Sequence, residues 1–290
     1  MLKIHDIPLD LPVLIAGPTA SGKSALALEI VAAQGGVILN ADALQVFGGW
    51  NILTARPTAT DMAAADHQLY GHVAYDAPYS VGHWLRDITP LLAGKRPVIV
   101  GGTGLYFQAL TQGLALIPAT PDVLRETADA RRLSEGHDGM FAELDAQTQA
   151  RIDALNPMRV QRAWEVQQAT GLGLAHWQDQ TPPPLLPLAN TYPIVLDADR
   201  DWLAARIERR FHLMIEAGAI EEAHAMWPTW NPAHQSSKAI GAPELIAHLE
   251  GRLSLEAAIE AAIISSRQYA KRQRTWFRSK MRDWNSHVPH

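Results

Sequence analysis

The sequence predicts an α/β fold in which a parallel sheet carries a phosphate-binding loop and an all-helical subdomain is inserted into the chain. Four short apolar runs have the character of strands that are buried on both faces, as a parallel sheet requires: Val13–Ala16, Val37–Leu39, Val98–Val100 and Ile194–Leu196. Helical stretches separate these runs, and a repeated strand-helix order is typical of an α/β core. Residues 116–190 break the pattern, because they contain helix-length amphipathic stretches and no convincing strand.

This break predicts the domain organisation. Asp122–Leu133 and Pro157–Ala169 have helical periodicity, and the run TPPPLLP at 181–187 is a stiff connector that cannot lie inside a helix. After Ile194–Leu196 the chain is expected to be helical again from Asp201 to its end. We therefore expect two domains with these bounds: a discontinuous core of residues 1–115 and 191–290, and a helical insertion of residues 116–190.

Composition indicates an ordinary globular protein. The chain has 290 residues, of which 47% are hydrophobic and 19% charged, so it is not a disordered chain. It has no cysteine, which excludes disulfides and thiolate metal sites. Neither a signal peptide nor an apolar run long enough for a membrane span is apparent. We expect a monomeric cytoplasmic protein without a membrane partner.

The charge is unevenly distributed along the chain. The net charge is −5, with a balance of −6 over residues 1–190 and of +1 over residues 191–290. The segment 267–282 holds seven basic residues and no acidic residue. A local basic patch of this kind attracts phosphate backbones whatever the total charge of the protein.

The first predicted strand leads directly into a motif for phosphate binding. Residues 17–24, called here the phosphate loop, fit the pattern G-x-x-x-x-G-K-[ST] and read Gly17, Pro18, Thr19, Ala20, Ser21, Gly22, Lys23 and Ser24. Glycines let the backbone amides converge on an anion, and the start of the following helix and the lysine add positive charge. The Ser24 hydroxyl is a candidate magnesium ligand. The motif predicts a polyphosphate site, with ATP as the ligand that the motif alone would suggest.

Two further polar groups follow predicted strands. Asp42 lies just past the second strand, where it could bind magnesium, act as a general base or merely cap a helix. Thr103 lies in a glycine-rich turn after Val98–Val100, and this turn could either contact a phosphate or only connect two elements. No acid follows Val98–Val100, where a P-loop NTPase normally has an aspartate for magnesium, and Asp197 is a possible substitute. This absence weakens the prediction of nucleotide hydrolysis.

These clusters occur in an order that resembles the bacterial tRNA dimethylallyltransferase (tRNA isopentenyltransferase) family. The resemblance covers nearly the whole chain and is carried by GPTASGKSALAL, NAD..QV, T.RP, VGGTGLYF, NPMRVQRAWEV, KAIG and RQYAKRQRTWFR. The sequence departs from the family pattern at Ala43, Gly48, Leu53 and Ala242-Pro243. The resemblance implies transfer of a dimethylallyl group from dimethylallyl diphosphate to the exocyclic amine of adenosine 37, next to the tRNA anticodon, with Mg²⁺.

The resemblance also implies roles for individual residues. Asp42 would accept a proton from the adenine amine, Thr103 would assist catalysis at the diphosphate, and the phosphate loop would hold the diphosphate as the leaving group. The anticodon stem-loop would contact Asp42, Ala43, Leu44, Gln45, Thr103, Arg125, Arg159, Val160, Gln161, Arg162, Ala163, Arg267, Lys271, Arg272, Arg274 and Arg278. We expect Tyr269 and Trp276 to pack in the core instead.

Three other functions remain open from the sequence. A small P-loop kinase would share the phosphate loop, but its arginine-rich lid has only Arg131-Arg132 as a candidate. A prenyltransferase for free adenine nucleotides would leave the basic segment and the insertion without a purpose. An RNA-binding protein without catalysis would not need Lys23 and Asp42.

Overall fold

The computed structural model describes residues 3–289 and shows an α/β protein built on a six-stranded sheet in which all strands are parallel. The strands are β1 (Val13–Ala16), β2 (Val37–Asn40), β3 (His67–Gln68), β4 (Pro97–Gly101), β5 (Tyr192–Leu196) and β6 (Asn285–His287). They lie in the order β3-β2-β4-β1-β5-β6. The predicted fold class is confirmed.

Thirteen α-helices accompany the sheet in residues 3–289. They are α1 (Lys23–Gln34), α2 (Ala59–Ala64), α3 (Val81–Ile88), α4 (Gly104–Gln112), α5 (Asp122–Glu135), α6 (Asp138–Ala142), α7 (Ala146–Arg151), α8 (Pro157–Thr170), α9 (Leu174–Asp179), α10 (Arg200–Glu216), α11 (Ala219–Met226), α12 (Ala242–Leu249) and α13 (Leu255–Lys280).

The sheet is buried on both faces. Side chains alternate along β1, so that Leu14 belongs to one hydrophobic cluster and Val13 and Ile15 to another. Helix α1 covers the second cluster through Ile30, and helix α3 covers the first through Trp84. The two faces explain why the strands read as continuous apolar runs and not as alternating ones.

The contacts of the chain divide into two compact units. One unit extends to Thr111 and resumes at Leu186, and it contains the sheet. The other spans Gln112–Leu185 and consists of helices α5 to α9 around a small core of its own. The predicted insertion bounds, 116 and 190, lie a few residues further along the chain.

Two strands are not foreseen by the sequence. The pair His67–Gln68 is too short to show a strand pattern, and Asn285–His287 is polar because it forms the exposed edge of the sheet. The prediction that the chain is helical from Asp201 to its end is therefore wrong for its last residues. None of the helices within residues 3–289 has both the length and the apolar character that a bilayer span needs.

Candidate active site

The phosphate loop connects β1 to α1 at the carboxyl edge of the sheet. Gly22 has φ +92°, a left-handed conformation that suits glycine, and it immediately precedes the first residue of α1. The Lys23 ammonium group donates to the carbonyl of Pro18 at 3.2 Å. Burial lowers the pKa of Lys23 to about 8, Asp42 acts against this shift and Arg210 adds to it. The start of a twelve-residue helix and a lysine thus face the same space, as anion binding requires.

Three arginines of α10 add to this positive charge. Arg206, Arg209 and Arg210 line the same cavity as Lys23, and the Nε of Arg206 donates to the carbonyl of Ala20 at 3.0 Å. The sequence analysis missed them, because they lie about 185 residues after the phosphate loop. Their spacing on one helix is the signal that could have indicated a shared face.

Asp42 lies in a turn just after β2. One carboxylate oxygen accepts from the backbone N–H of Leu44 at 3.0 Å, and no helix follows in this segment. The fully buried Asn40 holds the turn, because its amide oxygen accepts from the N–H of Asp42 at 2.9 Å and its NH₂ donates to the Asp42 carbonyl at 3.0 Å. Asp42 is therefore not a helix cap, and its second oxygen faces the glycine turn that follows β4.

Thr103 is brought next to Asp42 by the pairing of β2 with β4. Its hydroxyl oxygen accepts from the N–H of Ala43 at 2.9 Å, and its own N–H donates to the Ala41 carbonyl at 3.2 Å. The close approach requires glycine at position 101, where a Cβ would lie only 2.0 Å from the Ala41 oxygen. A hydroxyl that accepts one hydrogen bond still carries a proton to donate. The structure thus places the two residues with predicted catalytic roles side by side.

A buried glutamine of α13 connects this turn to the phosphate loop. The side-chain oxygen of Gln273 accepts from the N–H of Thr19 at 2.8 Å. Its NH₂ group donates to the carbonyl of Gly102 at 2.9 Å. Gln273 is only 6% exposed, so both hydrogen bonds are largely shielded from water. The sequence does not indicate a role for Gln273, because it is a single glutamine within a basic segment and belongs to no motif of its own.

Two adjoining cavities meet at Asp42. The larger, of about 540 Å³, is bounded by the phosphate loop, Arg56, Asp61 and the three arginines of α10, and we call it the phosphate cavity. The smaller, of about 70 Å³, is mostly apolar, and we call it the apolar cavity. The apolar cavity is lined by Leu44, Leu53, Ile207, Phe211, Met214, Ala239, Ile240 and Tyr269, among others. Both cavities share Thr19, Ala20, Asp42, Thr54 and Arg210. The site therefore offers a cationic compartment beside an apolar one, with a carboxylate at their junction.

The oxygen groups of the phosphate cavity suit a magnesium ion that also binds a phosphate. Ser24 and Asp42 line the phosphate cavity with a hydroxyl and a carboxylate, which are the hard oxygen ligands that Mg²⁺ prefers. Within residues 3–289 no cluster of three or more acidic or histidine side chains could hold a metal by itself. Asp197, the other candidate acid, contacts Arg278 at 3.5 Å and does not line the phosphate cavity. The donor set fits a magnesium that is bound together with its phosphate ligand.

A basic groove runs between α10 and α13. It measures about 660 Å³ and is lined by Arg200, Arg267, Lys271, Arg274 and Arg278, with Asp201 as its acidic residue. Arg267 pairs with Glu208 at 2.7 Å, and Arg272 lies outside the groove over the ring of Tyr269, 5.7 Å from its centroid. Four of the five predicted tRNA contacts in residues 267–282 thus lie on one face of α13.

The two aromatic residues of the segment differ. Trp276 packs on Gly104 and against the hydrophobic cluster on that face of the sheet, which agrees with the prediction of a core residue. Tyr269 is half-buried and lines the apolar cavity, so it belongs to the wall of the site as well as to the packing of α13.

The helical unit does not present its predicted tRNA contacts in the same way. Val160 and Ala163 are fully buried in its core, and Gln161 is 4% exposed with its amide bonded to Asp129 and Glu165. These three side chains face the core of the helical unit, and their assignment as tRNA contacts stays a prediction.

The arginines of the helical unit are engaged by neighbouring acids. Arg125 contacts Asp122, Arg159 contacts Asp153 and Arg162 contacts Glu165, at 3.4–3.5 Å. Arg131 and Arg132 are likewise paired within this unit, to acids that include Glu143 and Asp129. With six arginines and ten acidic residues in 112–185, the unit is acidic.

Comparison with known proteins identifies the family. A family model described as IPP transferase matches residues 45–280. A tRNA dimethylallyltransferase from Cereibacter sphaeroides is 62% identical over 285 residues, which cover 98% of each chain. The chain belongs to the tRNA dimethylallyltransferase family. A second member, from Ruegeria sp., is 60% identical over 290 residues, which cover 100% of this chain and 99% of its own. Family membership makes the chain a prenyltransferase and confirms the resemblance that the sequence motifs carried.

Solved structures agree with this assignment. The tRNA isopentenylpyrophosphate transferase from Bacillus halodurans has a TM-score of 0.69 and 33% identity, over 96% of this chain and 90% of its own. A eukaryotic dimethylallyltransferase, solved while acting on tRNA, has a TM-score of 0.79 at 23% identity, over 96% of this chain and 73% of its own. At that identity the second likeness supports the fold alone.

Proposed function

We propose that this member of the tRNA dimethylallyltransferase family transfers the dimethylallyl group of dimethylallyl diphosphate to the exocyclic amine of adenosine 37 in tRNA. The observation that carries the proposal is the position of Asp42 at the junction of the phosphate cavity and the apolar cavity. A prenyl diphosphate has an anionic half and an apolar half, and its reactive carbon lies between them. The phosphate cavity matches the anionic half and the apolar cavity matches the apolar half. The reactive carbon would then lie at their junction, beside Asp42.

The phosphate cavity holds the leaving group in this proposal. When the carbon–oxygen bond breaks, negative charge grows on the diphosphate, so cations and amides help most in the transition state. Lys23, the phosphate loop and the arginines of α10 provide this charge from fixed elements. The hydroxyl of Ser24 would hold Mg²⁺ together with the diphosphate, and the ion, when bound, neutralises charge on the diphosphate.

Asp42 and Thr103 act on the adenosine. The amine nitrogen forms a bond to the first prenyl carbon, the diphosphate departs with the electron pair, and Asp42 accepts a proton from the amine. The N–H of Leu44 donates to one oxygen of the carboxylate, and Asn40 holds the backbone of Asp42, which supports a role as a general base. Thr103 can donate its hydroxyl proton to a diphosphate oxygen while it accepts from Ala43.

The basic groove supports binding of the tRNA backbone. Arg267, Lys271, Arg274 and Arg278 lie on one face of α13, the helix that also supplies Gln273 to the site. A base cannot reach the junction while it is stacked, so the adenosine is expected to flip out, and a single-stranded anticodon loop makes this inexpensive. In the insertion, Arg125, Arg159 and Arg162 remain candidate tRNA contacts, because their ion pairs lie at the surface and such pairs are weak.

The test is product analysis with purified protein. Radiolabelled dimethylallyl diphosphate and an unmodified tRNA transcript are incubated with Mg²⁺, and the tRNA is digested to nucleosides. The proposal predicts label on the exocyclic amine of adenosine 37 and none in a transcript with guanosine at this position. Label in free adenine nucleotides, or phosphoryl transfer from ATP in place of prenyl transfer, would overturn the proposal.

A further inference from the structure

The phosphate loop contains a residue in an unusual backbone conformation. Ala20 has φ +61°, a left-handed value that residues with a Cβ rarely adopt. Within residues 3–289 three non-glycine residues have a positive φ, and in each of them a side chain donates a hydrogen bond to the carbonyl oxygen. The pairs of donor and acceptor are Arg206 and Ala20, Gln45 and Ala55, and Asn40 and Leu69. Backbone strain of this kind persists only where the surrounding structure enforces it. The side-chain donor is thus a feature that the three strained turns share.

Helix α10 holds Ala20 from two sides. The Ala20 side chain is buried in a hydrophobic cluster with Leu203 and Ile207 of α10 and with Ala270 of α13. The Nε of Arg206 donates to the Ala20 carbonyl at 3.0 Å. Residues three or four apart share a face of a helix, so this face of α10 supplies both contacts. The helix therefore fixes the side chain and the carbonyl of Ala20 together.

Trp202 orients the guanidinium group of Arg206. The Cζ atom of Arg206 lies 4.6 Å from the centroid of the Trp202 ring, one helical turn earlier in α10. A cation over an indole ring is attracted to it. Arg206 is otherwise exposed, and the ring reduces the number of orientations that the guanidinium can take. Trp202 lines neither the phosphate cavity nor the apolar cavity, so it acts on the site through Arg206.

The hydrogen bond from Arg206 also fixes an amide of the phosphate loop. The carbonyl of Ala20 and the N–H of Ser21 belong to one planar peptide group, so holding one sets the direction of the other. Anion binding by such a loop depends on the directions of its amides. We propose that Arg206 is a positioning residue, which holds Ala20 in its left-handed conformation and so keeps the phosphate loop in the shape that binds the diphosphate. This inference rests on the proposed function, since it assigns a diphosphate to the loop.

A double-mutant cycle between Arg206 and Ala20 separates this role from the charge of Arg206. The experiment measures, by calorimetry, the dissociation constant of inorganic diphosphate with Mg²⁺ for Arg206→Met in the wild-type and the Ala20→Gly backgrounds. Glycine adopts a positive φ without steric cost, so the loop depends less on Arg206 in the second background. We expect Arg206→Met to raise the dissociation constant about tenfold in the wild-type background and about threefold or less in Ala20→Gly.

Two further variants complete the test. Arg209→Met removes the same charge from an exposed position that lines the same cavity, so its effect should be equal in both backgrounds. Trp202→Leu changes no charge, and it should weaken diphosphate binding in the wild-type background and less in Ala20→Gly; it also covers the case in which Arg206→Met fails to fold.

The outcomes distinguish this inference from the proposed function. If Arg206→Met and Trp202→Leu have the same effect in both backgrounds while the wild-type protein binds diphosphate, the inference alone is overturned. If the wild-type protein does not bind diphosphate, the phosphate site of the proposed function is overturned, and the inference with it.

Discussion

Gln273 is predicted to position the phosphate loop relative to the turn that carries Thr103. Its replacement by alanine leaves the N–H of Thr19 and the carbonyl of Gly102 without their partners at 2.8 and 2.9 Å. An unpaired buried group costs about 1–3 kcal/mol, and water from the open phosphate cavity can replace part of the loss. We therefore expect a total cost of about 2–3 kcal/mol. If the whole of this cost raises the barrier to prenyl transfer, kcat/KM is about 30- to 150-fold lower.

The assay is steady-state prenyl transfer, with thermal unfolding measured in parallel. The matched control is Gln34→Ala, because the Gln34 side chain makes three comparable hydrogen bonds, to Ile4, Ile7 and Arg96, at the far end of α1. Both variants should lose similar stability, and only Gln273→Ala should lose kcat. Equal losses of activity in the two variants, or full activity in Gln273→Ala, would refute a positioning role.

Further predictions concern charge and the loop at residues 51–53. Lys271→Ala should weaken tRNA binding and reduce the slope of log affinity against log salt by about one, while Lys95→Ala, on the opposite edge of the sheet, should leave the slope unchanged in a filter-binding titration. Lys23→Ala should raise the dissociation constant of dimethylallyl diphosphate, measured by calorimetry, by at least tenfold, because a diphosphate loses a direct charge; tRNA affinity should not change. Glu222→Ala leaves the three amides of residues 51–53 without their acceptor and should destabilise the protein by about 2 kcal/mol in thermal unfolding, whereas Glu221→Ala, an exposed neighbour, should be neutral.

The sheet could be predicted from the sequence because its central strands are apolar and short. Buried parallel strands need hydrophobic side chains on both faces, so β1, β2, β4 and β5 are visible as continuous apolar runs. The edge strands β3 and β6 have no such requirement, since their side chains are half-buried or exposed. Their polar sequences fit a loop equally well, and only the pairing with β2 and β5 makes them strands.

The parts of the site that directly follow a strand could be predicted from the sequence. The parts that come from distant helices could not. The phosphate loop, Asp42 and Thr103 each follow a strand, so the rule that ligands bind at the carboxyl edge of a parallel sheet locates them. Arg210 and Gln273 come from helices far along the chain, and their contacts depend on how these helices pack.

The motif on α8 could not be divided into buried and exposed residues from its sequence alone. In a helix, residues three or four apart lie on the same face, so only part of a continuous motif faces outward. Val160 and Ala163 consequently face the core, and Arg159 and Arg162 face acids of their own unit.

The account depends most on Asp42 as the proton acceptor at the junction of the two cavities. The measurement that tests it most directly is the single-turnover rate of prenyl transfer in Asp42→Asn, with Asp66→Asn, an exposed carboxylate paired with Lys95, as the control. We expect Asp42→Asn to be about 10²- to 10⁴-fold slower with tRNA still bound, and Asp66→Asn to react at the wild-type rate. A rate in Asp42→Asn within a few fold of the wild type would contradict the assignment of Asp42 as the base.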